Sequence, residues 1–163
     1  MDTSCEIKGM KKNIIYSLIP LLFAIQSCFA QNKTMDEVNY LDDTFEAGQT
    51  WKYHTRTGEK NSTLTIVKVE KLRNDTIIHI ALSGLKIKHP LVKSGISESI
   101  DHLPFSKEAI LKSVIALIGS QSQLPDYMEG YVQWKEAYES GNGGIFSITV
   151  KEAVGYVEQT MNK

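Results

Sequence analysis

Between Gln49 and Lys88 the chain carries three consecutive runs of strand-type pattern separated by short turn-forming segments, and this stretch constrains its fold more than any other. Gln49 to Arg56 (QTWKYHTR) alternates, with Trp51, Tyr53 and Thr55 on one side and Lys52, His54 and Arg56 on the other. That is the pattern of a half-buried strand with its aromatics inward. A turn containing Gly58 leads into the β-branched run Ser62 to Leu72. Within this run Leu64 and Ile66 share one parity while Val67 and Val69 share the other, so a β-bulge is expected near Ile66 and Val67. Arg73 to Asp75 make the next turn, and Thr76 to Lys88 form a third strand with Ile78, Ile80 and Leu82 facing one way and a bend at Gly84. His54 and His79 fall at outward positions of their strands. Three long strands joined by short turns predict an antiparallel meander.

The segment His89 to Phe105 shows neither helical nor strand period and reads as an irregular connection of 17 residues, a length that tends to accompany function. Ser106 has the chemistry of an N-cap, and Ile110, Leu111, Val114, Ile115, Leu117 and Ile118 form the broad apolar face of a helix ending at Gly119. A second helix opens at Pro125 and Asp126 and ends near Ser140. Its Tyr127, Tyr131, Trp134 and Tyr138 stack on one stripe. Asn142, Gly143 and Gly144 form a turn, Ile145 to Thr149 a short strand, and Thr149 with Glu152 a capping box that starts a final helix. The expected fold is α+β: a curved antiparallel sheet of three meander strands plus one later short strand, packed on one face against three helices.

The N-terminal part has another character. Lys11 and Lys12 precede the apolar run Ile14 to Ile25, and a cluster of small and polar residues from Gln26 to Ala30 follows, the order of a secretory signal peptide. The run is shorter than the ~20 residues of a membrane-spanning helix, and it contains Pro20. Met10 lies directly before the two lysines and reads as the start, with residues 1–9 as an extension. Cleavage after Ala30 leaves Gln31 at the front of the mature chain. On the alternative route Ile25 to Cys28 act as a lipobox and Cys28 is lipidated. The expected organisation is therefore 1–30 leader, 31–47 polar tether and 48–163 one α+β domain. Simple cleavage removes Cys5 and Cys28, the two cysteines of the chain, and with them any disulfide, thiol nucleophile or zinc–thiolate site. The remaining residues carry a small negative charge, which favours neither nucleic acid nor an anionic membrane surface, so membrane contact is expected only through the leader or a lipid anchor.

Catalytic signatures are sparse. The four histidines, His54, His79, His89 and His102, show no HExxH or HxH spacing. A site built from the 89–105 segment would use His89, Asp101 and His102, because neutral imidazoles with a carboxylate bind metal or relay protons. The competing reading is an exposed loop with incidental histidines. Ser94, Ser97 and Ser99 lack a nucleophile elbow, and Gly141, Gly143 and Gly144 lack the residues of a phosphate loop. No motif implies a cofactor or a resident metal. The aromatic stripe has two readings: packing on the sheet against Trp51 and Tyr53, or a groove beside the 89–105 segment in which Tyr131 and Trp134 meet a ligand. The triplets beginning at Asn32, Asn61 and Asn74 fit glycosylation sites only in a eukaryotic route; the leader reads as bacterial.

The segments FEAGQTWKYHTR (Phe45 to Arg56), GLKIKHP (Gly84 to Pro90) and HLPFSKEAI (His102 to Ile110) resemble a family of small, secreted, Bacteroidetes-type α+β domains that has no established activity. The resemblance implies one exported envelope domain and carries over no catalytic residue. The expected function is a non-enzymatic binding module, of inhibitor or immunity type among others, that engages a protein or small ligand through His89, Asp101, His102, Tyr131 and Trp134. The alternative is a small periplasmic hydrolase or metal-dependent enzyme using His89, Asp101 and His102.

Overall fold

The computed structural model describes residues 45–163. The leader, both cleavage routes and Cys28 lie outside the described residues. Five strands form one open antiparallel sheet: β1 Gln49–Tyr53, β2 Thr63–Leu72, β3 Asp75–Lys88, β4 Ile96–Ser106 and β5 Val114–Ser120, in spatial order β4-β3-β2-β1-β5. Three helices accompany it, α1 Lys107–Ser113, α2 Met128–Glu139 and α3 Val150–Met161. The fold is α+β, with the meander of β1, β2 and β3 where the alternation places it.

Two elements correct the expectation. The stretch from His89 to Phe105 is an irregular connection only as far as Gly95; from Ile96 it is β4, paired with β3. Its alternation is concealed by a register shift: Ile80 pairs with Leu103 but Leu82 pairs with Ile100, so Asp101 and His102 together face Ala81. An extra residue of this kind moves Leu103 and Phe105 out of phase with Ile96 and Ile100. Pro104 is tolerated because β4 is an edge strand. Its carbonyl accepts the Phe146 N–H at 2.9 Å on the outer side, and its ring nitrogen points the same way, where no ladder bond is lost.

The helix expected to run to Gly119 ends at Ser113, and β5 follows at once on the free edge of β1. The Ser113 hydroxyl donates to the Ala109 carbonyl at 2.6 Å and accepts the Val150 N–H at 2.9 Å, which holds the helix end against the start of α3. Val114 and Ile115 are β-branched and suit the strand that follows. Ile115, Leu117 and Ile118 are consequently 58%, 51% and 46% exposed, not core residues. The short strand expected at Ile145 to Thr149 reduces to one parallel bridge, Phe146 to Phe105.

The core lies between one sheet face and the pair α1 and α3. It joins Trp51, Tyr53, Leu64, Ile66, Ile78, Ile80, Leu103 and Phe105 to Ala109, Ile110, Val150 and Val154. Thr149 and Glu152 form the expected capping box of α3. Helix α2 packs on the opposite face, so the helices are divided between the two sides of the sheet. Its rings meet His79, whose neighbours Ile78 and Ile80 point into the core. β3 outruns β2, whose pairing stops at Ser83, and carboxylates serve the exposed N–H groups beyond. Glu59 accepts from Lys86 N and Glu158 from Lys88 N, both at 2.7 Å. The Arg56 guanidinium joins the two acids, bidentate to Glu59 at 2.6 and 2.9 Å and at 2.6 Å to Glu158.

Candidate functional site

The expected bulge in β2 is present: Ile66 pairs with Ile80 and Lys68 with His79, leaving Val67 as the extra residue. It keeps Val69 packed on the core while placing Lys68 and Glu70 on the α2 side. The bulge in β4 lies across β3 from it, and His102 there meets His79. The two irregularities thus gather Lys68, Glu70, His79 and His102 under α2.

His79 is 0% exposed and lies at the centre of the group. Its Nε2 is 3.1 Å from Glu70 Oε1 and its Nδ1 is 2.9 Å from His102 Nε2, with the two rings stacked at 5.1 Å. Tyr131 donates its hydroxyl to both oxygens of Glu70, at 3.2 and 3.3 Å, and Lys135 Nζ stands 3.6 Å from the same carboxylate. Trp134 packs edge-on to His79 at 4.7 Å and donates its indole N–H to the Gly144 carbonyl at 2.8 Å. Lys68 Nζ lies 4.6 Å from the Tyr131 ring centroid. The close seat of α2 depends on Gly130, since a Cβ there would stand 2.8 Å from His102 Cβ.

Hydrogen-bond chemistry orders the protons. Glu70 as a carboxylate only accepts, so His79 Nε2 carries the proton. A neutral His79 then presents a bare Nδ1, and the 2.9 Å contact requires His102 to donate from Nε2. His102 Nδ1 is left as an acceptor on the side of α2. Both rings are neutral near pH 7: burial lowers His79 to about 4, with the nearby His102 adding to the effect and Glu70 opposing it, and burial lowers His102 to about 4.

His102, Tyr131 and Trp134 are brought together. His89 is not among them; it lies in the β3–β4 turn, its Nδ1 accepting from Leu91 N at 3.3 Å. The strand length from Ile96 to His102 puts it roughly 20 Å away. Asp101 is exposed and takes the Ser99 hydroxyl at 3.4 Å. The triad His89, Asp101 and His102 is therefore not assembled, and no three His, Cys, Asp or Glu among the described residues are placed to hold a metal ion. Nor does the stripe pack against Trp51 and Tyr53, which belong to the core on the other face.

Sequence reasoning placed His79 outward and passed over Glu70. A signal was present: in TIIHIAL both parities of the strand are apolar around the histidine, the mark of a strand covered on both faces. Comparison with protein-family models, with curated proteins and with solved structures finds no match to this chain.

Proposed function

We propose that the chain is an exported, non-enzymatic binding module of a bacterial envelope, which takes a hydrogen-bond-donating group of a protein or small ligand at His102, between Tyr131 and Trp134. The observation carrying this reading is the chain Glu70–His79–His102, which holds one imidazole nitrogen as a fixed acceptor. The covering helix adds support. No residue of α2 is fully buried, and its aromatics lie over polar groups where aliphatic packing would serve stability as well or better. Tyrosine and tryptophan around a few oriented polar groups make a surface suited to recognition. Export rests on the order of charges, apolar run and small residues in 10–30.

The test is side-chain nitrogen NMR of His79 and His102 during a screen of saccharides, amino acids and nucleosides. A ligand of this site shifts His102 Nδ1 and loses affinity in His102→Phe with the fold intact. Ligands that bind elsewhere while His102 Nδ1 stays unperturbed would overturn the proposal.

A small periplasmic hydrolase is the second reading, because Glu70 orients His102 through His79 and leaves His102 Nδ1 without a hydrogen bond among the described residues, as a general base requires. Turnover of an ester or amide panel that disappears in Glu70→Gln would favour it.

A further inference from the structure

Near the start of α3, at the end of β1, Lys52, His54, Lys60 and Lys151 line an open depression of about 350 Å³. No carboxylate lines it, in contrast to the depressions beside Glu98 and Glu108. The acids adjacent in sequence to Lys60 and Lys151 have other partners: Glu59 binds Arg56 and the Lys86 N–H, and Glu152 the α3 cap. None of the three lysines has an ion pair among the described residues. A chain with a formal net charge of −1 thus places three lysines without a close ion pair among the described residues around one depression, Lys151 facing only the longer-range charge of Glu152.

The lining also includes buried donors. Tyr53 and Ser62, 4% and 3% exposed, share one hydrogen bond of 2.7 Å between their hydroxyls. Two hydroxyl groups and one shared bond leave one O–H proton uncommitted. Burial raises the Tyr53 pKa, so both hydroxyls stay protonated at neutral pH and one of the pair keeps the free O–H. Lysines along the rim with a buried O–H donor in the lining suit an anion with several oxygens. Ile115 completes the wall and begins the exposed apolar row of Leu117 and Ile118 on β5.

We infer that this depression is a second binding site, independent of His102, for a phosphate-type oxyanion, either free or as the headgroup of an anionic lipid whose apolar part lies along β5. Net charge disfavours anionic partners for the chain as a whole; the local distribution reverses this at one point.

The test titrates the full chain at low ionic strength, where exposed charges are least screened, following the backbone amides of Lys52, Lys60, Ser62 and Lys151. The probes are inorganic phosphate, vesicles of phosphatidylglycerol and vesicles of phosphatidylcholine, the last also reporting any contribution of the apolar run 14–25. Saturable shifts at these amides, weakened about tenfold in Lys60→Gln/Lys151→Gln, are the expected result. Response to phosphate identifies the free ion; response to phosphatidylglycerol alone, reduced by Leu117→Ser, identifies the lipid. Equal binding by wild type and double variant, or no saturable response to phosphate or to phosphatidylglycerol beyond that to phosphatidylcholine, overturns the inference. The substituted lysines are exposed, and unchanged thermal melts verify that the fold survives.

Discussion

His79 Nδ1 and His102 Nε2 lie 2.9 Å apart in stacked rings, and this contact admits only one proton. Protonating His79 at Nδ1 would force His102 to move its proton from Nε2 to Nδ1, whereas His102 can gain a proton at Nδ1 without disturbing the contact.

Acid should therefore loosen the α2 side first. Both histidines have folded-state pKa values of about 4, below the ordinary 6.5. As pH falls, the unfolded chain takes up these protons before the folded one does. Their contribution to stability is complete above about 6.5, declines below it and is lost as pH passes about 4. Urea midpoints measured over that window should fall more steeply for wild type than for His79→Phe.

Glu70→Gln removes the charge that faces Lys68 and Lys135 and replaces an acceptor-only carboxylate by an amide that can accept from or donate to His79 Nε2. A loss of about 1–3 kcal/mol is expected in urea unfolding. Nitrogen NMR should also show His79 and His102 losing their single tautomers.

Gly130→Ala tests the seat of α2. On an open helix the change would add up to about 1 kcal/mol of stability. Here the new Cβ meets His102 Cβ at 2.8 Å and Cγ at 3.4 Å. Destabilisation of about 1–3 kcal/mol is expected, with a reduced near-ultraviolet signal from Tyr131 and Trp134.

Arg56→Ala leaves Glu59, whose side chain is 2% exposed, without its cation. Burial alone would raise the Glu59 pKa, but the Arg56 guanidinium and the Lys86 N–H outweigh it and the net shift is downward. Removing Arg56 should cost about 3–5 kcal/mol by chemical denaturation. Arg56→Lys should recover little of this, because an ammonium cannot reproduce the two-pronged contact.

What could be read in the sequence follows from where the period of two survives. In β1, and in β3 as far as Leu82, the alternation is unbroken, and Trp51, Tyr53, Ile78 and Ile80 enter the core as their parity predicts; past Gly84 the core side passes to Leu85 and Ile87. In β2 the change of phase at Val67 was visible because apolar residues stand on both sides of it. In β4 the same device at Asp101 and His102 is flanked by serines, a glutamate and a proline, so the strand lost its signature. β5 was hidden differently: VIAL fits either a helix or a strand, and only the vacant edge of β1 decides between them. Tyr131, Trp134 and His102 could be named as candidates, but Glu70 and His79 could not. Their meeting depends on two bulges and a helix crossing the second face; the apolar residues on both parities around His79 signal a covered strand but not which side chains meet there.

The clamp of Arg56, Glu59 and Glu158 bears on the order in which the molecule completes itself. Arg56 and Glu158 are separated by 102 positions, and Lys88 and Glu158 by 70. The far end of β3 is therefore closed by α3, and a ribosome must release the 70 positions that separate Lys88 from Glu158 before that closure is available. Contacts of such long span slow folding, so the final turns of α3 act as the latch on a sheet synthesised well before them.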